Sequence, residues 1–133
     1  MDVVISSPAV LLLEHDITIR YPLAEYLREC GYKVFEASSA EDAGQVLGAL
    51  ASGLTAAVMN LHSLSDANSF DFAKRIRAEQ TTAQIFIVGT ADAAADRVAR
   101  LCYAADPTRS REQHKQHLLD HLMQLHAETL LKN

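Results

Sequence analysis

The stretch Val10-Leu11-Leu12-Leu13-Glu14-His15-Asp16 decides how the rest of the chain is read. A run of aliphatic residues without polar alternation describes a strand covered on both faces, which is the habit of parallel sheets flanked by helices. Beyond the polar stop the period changes. Ile19, Leu23, Leu27 and Cys30 recur at i, i+4, i+8 and i+11, one face of a helix that Asp16 or Thr18 can cap and Gly31 can end. Pro22 removes a backbone donor inside that span, so the helix is expected to start late, near Tyr21, or to have a distorted first turn.

Outward from this unit the same alternation repeats. Val34–Ala37 reads as a second strand. Ser38-Ser39-Ala40-Glu41-Asp42 then opens a helix in the manner of a capping box, continued by Ala43, Val46, Leu47 and Leu50 and weakened by Gly44 and Gly48. Ala56–Met59 is a third strand that ends at Asn60. A polar loop from His62 to Ser69 leads to a helix carrying Phe72, Ala73 and Ile76, and Gln84–Val88 is a fourth strand. A short or displaced fourth helix within residues 91–100, a fifth strand at Leu101–Ala105 and a long amphipathic helix from Ser110 to Leu131 complete the reading. Strands alternating with helices imply an α/β doubly wound parallel sheet with helices on both faces and right-handed crossovers. In such sheets ligands sit at the carboxyl ends of the strands.

The chain has 133 residues, of which 49% are hydrophobic, enough for one packed core and too short for two domains. Residues 1–8, with Ser6, Ser7 and Pro8, read as a short leader to a single domain over 9–133. The formal charge of −5 disfavours nucleic acid and anionic lipid, which demand clustered Lys and Arg. Apolar runs such as Ala9–Leu13 fall far short of the ~20 residues that span a bilayer. No membrane association and a cytoplasmic location are expected. The two cysteines, Cys30 and Cys102, lack metal-type spacing and read as reduced small hydrophobes.

Chain order and strand-end residues together resemble the receiver domain of two-component response regulators. The likeness covers most of residues 9–131; it is strongest over Val10–Ala43 and weakest over Val98–Ser110. It implies a flavodoxin-like sheet of five strands in the order 2-1-3-4-5. In that family two acidic residues follow strand one, a phosphoaccepting aspartate follows strand three, a threonine follows strand four and a lysine follows strand five. Here the matching positions hold Glu14 and His15, then Asn60, Thr90 and Asp106, with Asp16 one position beyond the acidic pair. All are expected to converge on the carboxyl edge of the sheet.

Each change subtracts a part of phosphoryl chemistry. An amide at position 60 is a poor nucleophile, so no acyl phosphate is expected at Asn60. His15 replaces an oxygen ligand that Mg²⁺ prefers, and binding of that ion is expected to be weak or absent; no cofactor is expected. Asp106, followed by Pro107, would repel a phosphoryl group where the family's lysine holds one. Thr90 keeps the switch position, where its hydroxyl can reach Asn60 or Asp106, or serve only as a strand-end residue.

Four histidines, His114, His117, His121 and His126, fall in the last helix. The first three share one side at i, i+3 and i+7, a spacing able to seat Zn²⁺ or Ni²⁺. The competing reading makes them a solvated flank beside a core-facing arc of Leu118, Leu119, Leu122, Met123, Leu125 and Leu130. No Cys or acidic residue stands ready in the sequence to finish a cage, except Asp120, so no metal site is assigned.

The expectation is therefore a degenerate receiver-like domain, not an enzyme and not phosphorylated. It acts on a protein partner such as a signalling protein or sensor kinase. By resemblance its contact face is formed by helix four, strand five and helix five, which could also join two copies. Two alternatives stand beside it: a conventional regulator phosphorylated on Asp66 or Asp71, and a small enzyme using His15 as general base with Glu14, Asp16 or Asp106 as its orienter.

Overall fold

A computed structural model describes residues 8–49, 53–64, 68–79 and 82–131. The expected leader falls almost wholly outside the described residues, as does Asp66. Element order is β1 (Ala9–Leu13), α1 (Ile17–Glu29), β2 (Lys33–Ala37), α2 (Ala40–Ala49), β3 (Ala56–Asn60), a 3-10 turn (Leu61–Leu64), α3 (Asn68–Glu79), β4 (Gln84–Val88), α4 (Ala91–Ala105) and α5 (Arg111–Leu131). The four strands lie in the order β2-β1-β3-β4, all parallel.

Every side chain of β1 is buried, as its unbroken apolar run requires for a central strand. Alternate residues serve opposite faces. Val10 and Leu12 join Val34, Val58 and Val88 in a core with α1, α4 and Leu118 of α5. Ala9, Leu11 and Leu13 join Ala57 and Met59 in a second core with Leu47, Phe72 and Ile76 of α2 and α3. The doubly wound architecture with helices on both faces is thus as expected.

The expected fifth strand is absent among the described residues, and so is the short fourth helix. Leu101–Ala105 is instead the last part of α4, which runs for 15 residues. Composition explains the difference: the segment is rich in alanine and lacks β-branched residues in its second half. Its buried residues, Ala94, Ala95, Val98, Ala99, Leu101 and Cys102, keep the helical period without a break. Residues 101–105 are the end of one apolar helical face in place of the expected strand. β4 consequently forms the sheet edge, with Ile87 47% exposed.

At the start of α1 the expected cap holds and the expected late start does not. Asp16 is its N-cap, accepting from Thr18 N–H at 2.9 Å, and the helix begins at Ile17 rather than near Tyr21. Pro22 is accommodated inside the helix, where it forgoes a bond to the Thr18 carbonyl and buries its ring. At the other end Gly31, at φ 99°, closes a Schellman motif: Tyr32 N–H donates to Leu27 O and Gly31 N–H to Arg28 O. Ser39 caps α2 by accepting from Asp42 N–H at 3.1 Å. α5 begins one residue after Ser110, and Met123, expected in its buried arc, is 71% exposed.

Candidate functional site at the carboxyl edge of the sheet

Parallel pairing sets the carboxyl ends of β1 and β3 side by side, with Leu13 opposite Met59 and Asn60 opposite Val88. Glu14 and Asn60 therefore meet. The Asn60 amide hydrogen-bonds the Glu14 carboxylate, which also accepts from the Asp16 backbone N–H. Burial pushes the Glu14 carboxyl above its ordinary range; these two hydrogen bonds oppose that rise, and the negative charge of Asp16 adds to it. Asn60 is fixed at its other end, because its Oδ1 accepts from His62 N–H at 2.7 Å.

The remaining edge residues are occupied or turned outward. Asp16 spends Oδ1 on the Thr18 N–H and hydroxyl, the latter at 2.6 Å. His15 is exposed; its backbone N–H donates to Ser63 Oγ at 2.9 Å, and among the described residues its ring makes no hydrogen bond to a carboxylate. Thr90 is the N-cap of α4, its Oγ1 accepting from Ala93 N–H at 3.0 Å. That is the work of a capping hydroxyl. The exposed Asp71 lies in the first turn of α3.

Asp106 does not converge with the others. α4 leaves the carboxyl edge at Thr90, and 15 residues at 1.5 Å per residue carry its end roughly 22 Å toward the opposite edge. Tyr32, just before β2, marks that edge by donating its hydroxyl to Leu101 O at 2.6 Å. There Asp106 is the C-cap of α4, its carboxylate accepting from the Thr108 hydroxyl and N–H across Pro107. The Thr108 hydroxyl holds the Asp106 carboxyl below its ordinary range.

A cation that the sequence reading passed over does reach the carboxyl edge. Arg20 donates from Nη1 to the Glu14 carbonyl at 2.9 Å and from Nε to Glu36 at 3.1 Å, while Arg28 holds the other Glu36 oxygen at 3.0 Å. No motif announces Arg20; only the packing of α1 beside β2 brings it there. The oxygens this edge offers a cation are those of a desolvated carboxylate, a carboxylate whose Oδ1 caps α1 and an amide whose oxygen already accepts from His62 N–H.

The cysteines and histidines also differ from expectation. Cys30 and Cys102, 72 residues apart, form a disulfide with Cα atoms 5.6 Å apart, a normal span for the bond. Sequence spacing could not reveal the pair, because it exists only once residues 101–105 are helical and Cys102 turns toward the C-cap of α1. His114 is no part of a solvated flank. It is 1% exposed, pairs Nδ1 with the Tyr26 hydroxyl at 2.5 Å and Nε2 with the Asp106 carbonyl at 3.1 Å. His117 and His121 are exposed, with the His117 ring tilted against Tyr26; the side chain of His126 lies outside the described residues.

No family model and no curated protein matches the chain. Among solved structures it is similar to a response regulator protein from Burkholderia pseudomallei, described with a phosphorylated aspartic acid, a calcium ion and citrate. Identity is 19%, the TM-score is 0.55, and the match covers 95% of this chain and 75% of that one. The α/β fold is accordingly similar to that of a response regulator, and the described residues form a four-stranded sheet where five strands were expected.

Proposed function

We propose that this chain is a receiver-like signalling domain of a two-component phosphorelay that carries no phosphoryl chemistry and acts by contact with a protein partner. One observation carries the reading: the position at the end of β3 holds an amide that hydrogen-bonds Glu14 and His62 N–H. An amide in that place offers no carboxylate to attack a phosphoryl group. The parts around it fit the same reading. His15 offers an imidazole in place of a carboxylate, Asp16 spends Oδ1 on the cap of α1, Thr90 is a cap, and Asp106 belongs to a turn at the other edge.

Output then rests on a fixed surface or on a partner's choice between conformers, since no covalent step exists to shift them. The contact face falls on α4 and α5, without a fifth strand between them. Tyr103 of α4 is 42% exposed and Met123 of α5 71% exposed, the kind of apolar side chain that anchors a contact or joins two copies. No described helix is long and apolar enough to cross a membrane. The test is an NMR titration with Mg²⁺ and beryllium fluoride, a phosphoryl mimic. The amide signals of Glu14, Asn60 and Thr90 should stay in place; saturable shifts at all three would overturn the reading.

A further inference from the structure

Three soft or borderline donors meet where α1, α4 and α5 pack together: the sulfurs of Cys30 and Cys102 and a ring nitrogen of His114 lie within 4.8 Å of one another. Cys102 and His114 are fully buried, and the partly buried Cys30 at the C-cap of α1 gives the cluster its access. The imidazole is held as metal-binding imidazoles are held. A carbonyl can only accept, so Nε2 carries the proton donated to Asp106 O, and Nδ1 keeps a lone pair that accepts from the Tyr26 hydroxyl. Backbone hydrogen bonds fix the frame, since Asp106 N–H donates to Cys102 O and Cys30 N–H to Tyr26 O.

We propose that, with the disulfide reduced, Cys30, Cys102 and His114 bind one zinc ion through their sulfurs and His114 Nδ1, the Tyr26 hydroxyl giving up its hydrogen bond to that nitrogen, with a fourth position left for solvent. Zinc takes thiolate sulfur at about 2.3 Å and imidazole nitrogen at about 2.0–2.1 Å in tetrahedral array, which asks the sulfurs to stand roughly 3.8 Å apart. Breaking the S–S bond frees the sulfurs to separate to that distance. The chemistry balances: two equivalents of a small thiol reduce the disulfide and leave as their own disulfide, and zinc displaces one proton from each cysteine thiol. Zinc and the disulfide exclude each other, because the same sulfurs serve both. This site is independent of the carboxyl edge and of the reading given to it.

The experiment is Co²⁺ and Zn²⁺ titration of the full chain, reduced and then freed of reductant under anaerobic conditions. Reduced protein should take up one Co²⁺ per chain with a near-ultraviolet thiolate charge-transfer band, which Zn²⁺ abolishes by displacement. Oxidised protein and C30S should show no such band, and the surface variant H117A/H121A should retain it in full. In the unsubstituted protein the ring-nitrogen resonances of His114 should move on Zn²⁺ addition. H114Q should bind at least tenfold more weakly. Absence of the band in reduced protein, its persistence in C30S, its loss in H117A/H121A, or unmoved His114 signals would each overturn the proposal.

Discussion

Asn60 and Glu14 share a hydrogen bond at the carboxyl edge of the sheet, and the partnership depends on position 60 being neutral. Asn60→Asp would remove a donor and set a second negative charge against a carboxylate already raised by burial. The variant should lose about 1.5–3 kcal/mol at neutral pH, the range for a hydrogen bond to a charged group. Denaturant unfolding at pH 7 checks this. The loss should shrink in acid, where the carboxyls protonate.

Glu14 also predicts a pH dependence of its own. Because its folded-state pKa is raised, its contribution is fully present below the unfolded-state value and is lost as pH rises through the folded one. Glu14→Gln keeps the shape without the charge. Thermal melts should find Glu14→Gln more stable than the unsubstituted chain at neutral pH, with the advantage disappearing toward pH 4.

Much of this arrangement is legible in the sequence. The aliphatic run of β1 could only be a covered central strand, and Gly31 could only be a stop, so the edge holding Glu14 and Asn60 followed from sequence. Asp106 was misplaced because an alanine-rich segment with apolar residues near its end can be divided into helix plus strand or read as one helix. Local pattern does not arbitrate; packing of Val98, Leu101 and Cys102 against α1 does. The same packing made the Cys30–Cys102 pair and the burial of His114 invisible, since both are contacts between elements far apart in sequence.

Reduction of the disulfide should be costly. A link closing a loop across 72 residues removes chain entropy from the unfolded state equivalent to about 4 kcal/mol, as an upper figure. Urea unfolding with and without a small thiol, in the presence of a chelator, should show the midpoint falling accordingly. An unchanged midpoint would show that the bond does not constrain the unfolded chain.

Thr90 is read as a cap, so Thr90→Ala should cost about 1 kcal/mol. Hydrogen exchange should quicken in the first turn of α4, around Ala93, and leave Asn60 unaffected. A switch residue would couple the two positions.

Intact-mass measurement after incubation with a small phosphodonor and Mg²⁺ addresses the central claim most directly. The chain should keep its original mass, and Asn60→Asp should keep its own, because the position after the fourth strand's helix that would supply a lysine holds Asp106, at the opposite edge, and the second acidic position holds His15. A stable gain of one phosphoryl group on the unsubstituted chain, mapped to any residue of that edge or to Asp66 or Asp71, would contradict the account.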